Sequence, residues 1–71
     1  MMCQMCDQNF ITQWNDPNYT QMWHLAGYKL EGYNNTISGT VCTTCFDSIS
    51  KNTDDRAVAL VKATLKGLIR N

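Results

Sequence analysis

Apolar and polar residues alternate most clearly between residues 28 and 41. Tyr28 and Leu30 alternate there with Lys29 and Glu31, and Ile37 and Val41 with Ser38 and Thr40. Period-two alternation of this kind marks strands that bury one face, and Asn34-Asn35 between the two runs tolerates the positive φ of a tight hairpin turn. A β-hairpin is therefore predicted over 28–41, its second strand running directly into Cys42. After Cys45 the period changes: Phe46 and Ile49 are three apart among Asp47, Ser48, Ser50 and Lys51, the pattern of a short helix.

The last segment carries the strongest helical pattern, predicted over Asp54 to Arg70. Asn52 or Thr53 serves as cap, and Asp54 and Asp55 fall in the first turn, where negative charge is favoured. Val58, Val61, Leu65 and Leu68 form one apolar stripe, widened by Ala57, Leu60 and Ile69, while Lys62, Lys66 and Arg70 fall in a basic column at successive i+4 spacings. A further short helix is predicted over 17–26, opened by Asp16-Pro17, closed by Gly27, and carrying Tyr19, Met22, Trp23 and Ala26 at helical spacing. The alternative is an extended run through Met22-Trp23-His24-Leu25. Trp14, Tyr19, Trp23, Tyr28 and Tyr33 would suit a stacking platform, but a small domain needs large side chains for its core, so Trp23 and Tyr28 are assigned to packing.

With 71 residues the chain supports one domain, and burial alone stabilises so small a core only marginally. Some staple is expected, and four cysteines supply the candidates. Met1-Met2-Cys3-Gln4 shows neither a basic nor an apolar leader region, and no stretch approaches a membrane span. A cytoplasmic location follows as the expectation, or the host cytoplasm for a viral chain, and disulfides are unusual there. Asn18-Tyr19-Thr20 and Asn34-Asn35-Thr36 would be glycosylation acceptors only in a secreted chain.

The cysteines stand as C-x2-C, 35 residues, C-x2-C. A two-residue gap curls the backbone into a knuckle whose thiolates converge on one ion, so Cys3, Cys6, Cys42 and Cys45 are predicted to hold one structural Zn2+ per chain. Such a shell leaves no open position for a substrate, and His24, the single histidine, lies outside both knuckles. The competing reading is two redox dithiols, but a thioredoxin-like motif sits between a strand and a helix in a βαβ setting, and Cys3 stands almost at the start of the sequence.

An N-terminal knuckle at Cys3 and Cys6, a hairpin, and a second knuckle at Cys42 and Cys45 that opens a helix together resemble the treble-clef zinc fingers over Cys3 to about Asn52. The resemblance implies a small α+β zinc-binding domain: a finger over 1–52, with an amphipathic helix over 53–71 packed on it. Zinc ribbons and rubredoxins commonly place Gly after the second cysteine of a knuckle, where this chain has Asp7 and Phe46. Nucleases of the treble-clef class need catalytic and metal-binding histidines, and His24 alone does not provide them.

Net charge is formally zero, and four thiolates with one Zn2+ shift it to −2, so the strong positive field of a sequence-independent nucleic-acid binder is missing. The expected function is a non-enzymatic protein-interaction module or small regulator, of the kind a phage directs at a host protein. Leu60 and Ile69 are the predicted contacts to a protein partner or a second copy, with no membrane role. The alternative is a nucleic-acid-binding finger, a transcription or translation factor, acting through Lys62, Lys66 and Arg70.

Overall fold

The protein is described by a computed structural model over residues 1–51 and 54–70, so the cap positions expected at Asn52 and Thr53 lie outside the described residues. The predicted hairpin is present and longer than its sequence signal. Strand β1, Met22–Lys29, pairs antiparallel with β2, Thr36–Cys42, placing Met22 opposite Cys42 and Tyr28 opposite Ile37. Helix α1, Thr43–Ser50, follows β2 without a linker, and helix α2 spans Arg56–Leu65. A two-residue strand β3, Ile69–Arg70, then pairs antiparallel with β2 and completes a three-stranded sheet in the order β1-β2-β3. The molecule is thus a small α+β fold of three antiparallel strands and two helices around a four-cysteine cluster.

Residues 17–26 are not helical. Asp16 does act as a local cap, but of a turn: Tyr19 N–H donates to Asp16 O at 3.0 Å and Asn18 N–H to Asp16 Oδ1 at 2.8 Å. Met22 onward is strand, the extended alternative, because pairing with β2 and the burial of Met22 that it brings outweigh the helical spacing. Gly27 marks a β-bulge between Leu25 and Tyr28 rather than a helix stop; it adopts φ 69°, and its N–H donates to Ser38 Oγ at 2.8 Å.

The C-terminal helix is the second correction. It ends at Leu65, five residues before the predicted terminus at Arg70, because Gly67 takes φ 75° and forms a Schellman cap. Gly67 N–H donates to Thr64 O at 3.0 Å and Leu68 N–H to Ala63 O at 3.0 Å. The chain then turns along β2, where Ser38 N–H donates to Leu68 O at 2.9 Å. Leu68 therefore leaves the stripe to which its spacing assigned it and enters the core. The face of α2 that packs inward is Ala59 and Ala63, with Leu60 half-buried, whereas Val58, Val61 and Leu65 point outward with relative exposures of 67, 61 and 83%. Two alanines four apart let α2 approach the core closely without a large side chain between them.

Met5, Leu30, Ile37, Val41 and Ile49 are the largest side chains buried at the centre, and Cys3 and Cys42 join them. Trp23 stacks on Phe46 with centroids 4.3 Å apart at 10°, and Tyr28 meets Phe46 edge-on at 5.6 Å. These contacts pin β1 to α1: Trp23 is half-buried against the core as assigned, whereas Tyr28 is exposed and touches Phe46 from the margin of the core instead of filling it. Trp14, by contrast, is 85% exposed.

Gly39 joins the sheet to both chain ends. Its φ is 146°, and a Cβ built there would stand 2.7 Å from Gln4 Oε1 and 2.8 Å from Leu68 Cδ2. Gln4 can swing away, but the buried leucine cannot move without opening the core. Gly39→Ala is expected to destabilise by on the order of 2 kcal/mol, read as a lower urea midpoint at unchanged m-value. An unchanged midpoint would mean that Leu68 is not seated against Gly39.

Candidate metal centre

The first knuckle is shaped by hydrogen bonds to its own leading cysteine. Asp7 N–H donates to Cys3 O at 2.9 Å, and the N–H groups of Met5 and Cys6 approach Cys3 Sγ at 3.4 and 3.5 Å. Asp7 itself takes φ 63°, the left-handed conformation that glycine adopts most readily. Aspartate tolerates it, so the lack of Gly after Cys6 is no barrier to a knuckle here. The Asp7 carboxylate is also ion-paired with the Lys66 ammonium, which ties the knuckle to the end of α2.

Gln4 docks this knuckle onto the sheet. Its N–H donates to Thr40 O at 2.9 Å and its Oε1 accepts from Thr40 N–H at 2.6 Å. The second edge of β2 is thereby filled in turn by β3, by Leu68 and by Gln4. Nothing in the hydropathy pattern marks Gln4 for this role. The second knuckle forms where β2 becomes α1, with Cys42 at the N-cap and Cys45 in the first turn, as its spacing predicts.

These two attachments bring all four sulfurs within 4.8 Å of one another. Cys3 Sγ lies 3.7 Å from Cys45 Sγ, and Cys6 Sγ lies 4.0 Å from Cys42 Sγ. Four sulfurs bound at ~2.3 Å around a tetrahedral ion stand ~3.8 Å apart, so the cluster has the size to ligate one metal ion. His24 is elsewhere, on the sheet surface, with Nδ1 3.0 Å from Thr40 Oγ1.

The electrostatics are asymmetric. Burial raises the Cys3 thiol, but N–H groups from Cys6, Cys42 and Met5 point at its sulfur and bring it down to about 7. Burial pushes Cys6 up, offset in part by the Gln8 N–H and reinforced by the Cys3 sulfur. Cys45 is pushed up furthest, by burial and then by the neighbouring sulfurs of Cys42, Cys3 and Cys6. Among the described residues the N–H donors converge on the first knuckle: even Cys42 N–H turns to Cys3 Sγ, at 3.3 Å. Four sulfurs this close cannot all carry charge unless a cation sits among them, which is the chemistry a divalent ion supplies.

Beside the cluster a cleft of about 420 Å³ opens between the first knuckle and the two helices, lined by Cys6, Cys45, Met5, Phe10, Val58 and Lys62 among others. Cys6, Cys42 and Cys45 all border it, Cys42 with little exposed surface, whereas Cys3 is fully buried behind them.

The remaining predicted contacts are dispersed. Leu60 and Ile69 are half-buried against the core and line one shallow hollow with Leu30 and Tyr33. The basic column is not assembled: Lys62 borders the cleft, Lys66 is paired with Asp7, and Arg70 lies in β3 opposite Thr36. Among the described residues, no helix is long and apolar enough to cross a membrane. Comparison with known proteins returns no match: no family model fits the chain, and no curated protein or solved structure matches it at a significant level.

Proposed function

We propose that this chain is a non-enzymatic, zinc-stabilised interaction module of treble-clef-like build, recognising a protein partner through the outer face of α2. The observation that carries the reading is the row Val58, Val61 and Leu65, spaced three and four apart and left exposed on a helix whose other face is anchored to the core. Apolar side chains repeated along one exposed helix face suit insertion into a groove or packing against another helix. Leu60 and Ile69 support that face from beneath instead of forming it. Zinc suits four thiolates with no redox demand, and a closed shell leaves no metal-bound water to act as a nucleophile. Its role is to hold the two knuckles, and through them α2, in place.

Metal analysis of protein purified without added metal is expected to give one zinc per chain and a colourless solution; a red protein with thiolate-to-iron absorption would overturn the zinc assignment. Partner recognition is tested by comparing Val61→Asp/Leu65→Asp with Lys62→Glu/Lys66→Glu in nuclease-treated pull-downs at two salt concentrations. The apolar double variant is expected to lose the partner while keeping its zinc. Nucleic-acid binding through Lys62, Lys66 and Arg70 would reverse that ranking and give an interaction that weakens steeply with salt.

A further inference from the structure

Resting on the partner reading above, we propose that the protein seated on the outer face of α2 is a second copy of this chain, with the two α2 helices antiparallel across a two-fold axis. The spacing of the exposed side chains comes first. Val58, Val61 and Leu65 are three and four residues apart, the seam spacing at which one helix packs along another, and exposures of 67, 61 and 83% leave that seam uncovered. Ala59 and Ala63 hold the opposite side of the helix against the core, so the seam faces away from the rest of the chain.

The flanks of the seam then choose the occupant and its direction. One flank carries Asp55 and Lys62, opposite in sign and about two helical turns apart, whereas the other carries the neutral Ala57 and Thr64; all four are exposed. Among the described residues neither Asp55 nor Lys62 has an ion-pair partner within the chain. The neighbouring cations are engaged: Lys66 is paired with Asp7, and Arg56 Nη2 donates to Glu31 O at 2.9 Å.

A two-fold axis across an antiparallel pair sets each flank against the same flank of the other copy. Asp55 of each chain then meets Lys62 of the other, and two ion pairs close over the seam. A parallel pair instead sets the charged flank against Ala57 and Thr64, and brings the acidic starts of both helices, Asp54 and Asp55, side by side. Charge therefore selects the antiparallel arrangement. In it Val58 and Val61 of the two copies meet about the axis, and Leu65 covers the start of the opposite helix. The ten residues of α2 extend only ~15 Å, so the contact lies at the small end of specific interfaces, and a Kd on the order of tens of micromolar is expected.

The test is sedimentation equilibrium of the zinc-loaded chain under reducing conditions, from well below to well above that Kd. The wild-type chain is expected to pass from monomer to dimer, and Val61→Asp/Leu65→Asp to stay monomeric with its zinc content and circular dichroism unchanged. Asp55→Lys and Lys62→Asp each turn two attractive pairs into two repulsive ones, and each is expected to weaken the dimer on the order of tenfold at low salt. An equimolar mixture of those two variants restores both attractions between unlike chains and is expected to dimerise about as strongly as wild type. A wild-type chain that stays monomeric throughout overturns this inference alone, since the pull-downs still judge a different protein on the same face. A dimer that Val61→Asp/Leu65→Asp leaves intact also overturns it, and the partner reading falls with it only where that variant keeps its captured partner as well. A mixture no stronger than either variant by itself overturns the antiparallel pairing.

Discussion

Stripping the metal with a strong chelator at neutral pH is expected to unfold most of the chain, and Cys42→Ser is expected to do the same. The argument rests on where the sulfurs sit. Cys3 and Cys42 are members of the buried core, and the first knuckle is held to the sheet by the Gln4–Thr40 hydrogen bonds, by Met5 in the core and by the cluster itself. Structural zinc contributes on the order of 10 kcal/mol or more of apparent folding free energy in small fingers, whereas a domain of this size retains net stability of roughly 4–10 kcal/mol. On the zinc reading proposed above, the metal contribution would equal or exceed the whole margin. Loss of structure should appear in far-UV circular dichroism and in the near-UV signal of the Trp23–Phe46 stack together, since that stack joins β1 to the helix that Cys45 opens. Native-like spectra after metal analysis has confirmed removal would refute the structural role and would place the stability in the apolar core alone.

The parts of this fold that the sequence announces are those governed by local geometry. A C-x2-C knuckle is set by a few backbone torsions, so both pairs were legible, as was the hairpin between Tyr28 and Val41 and the helix that begins after Cys42. The failures share one cause: tertiary partners decide between two locally acceptable states. Met22 to Ala26 has helical spacing and strand-forming residues at once, and β2 is the partner that selects strand. Val58, Val61, Leu65 and Leu68 make a credible stripe by counting, but counting does not reveal that Ala59 and Ala63 are the residues small enough for close approach. One missed signal was present. Gly67 followed by the apolar Leu68 is the sequence of a Schellman cap, outweighed by the apparent periodicity on either side. The Asp7–Lys66 pair had no sequence signal, because it joins residues at opposite ends of the chain.

Leu65 and Leu68 provide the most direct test of that reinterpretation. A continuous helix to Arg70 would place them three apart on one face, so truncating either would have a similar effect. The cap at Gly67 separates them instead: Leu65 is 83% exposed, whereas Leu68 is 7% exposed, seated over Gly39 and held by hydrogen bonds to Ala63 O and from Ser38 N–H. Leu68→Ala is expected to cost roughly 2–5 kcal/mol, the transfer term of a buried leucine plus the cavity it leaves. Leu65→Ala should stay within about 0.5 kcal/mol, because little buried surface is lost and alanine is at least as good a helix former. Urea denaturation of both variants with zinc in slight excess reads the difference as a shift in midpoint. For a domain with so small a margin, the Leu68 variant should be largely unfolded at moderate urea, where the Leu65 variant remains native. Equal shifts would restore the uninterrupted helix and remove β3. A larger shift for Leu65 would mean that its side chain is covered in the monomer and that the outer face of α2 is not available to a partner.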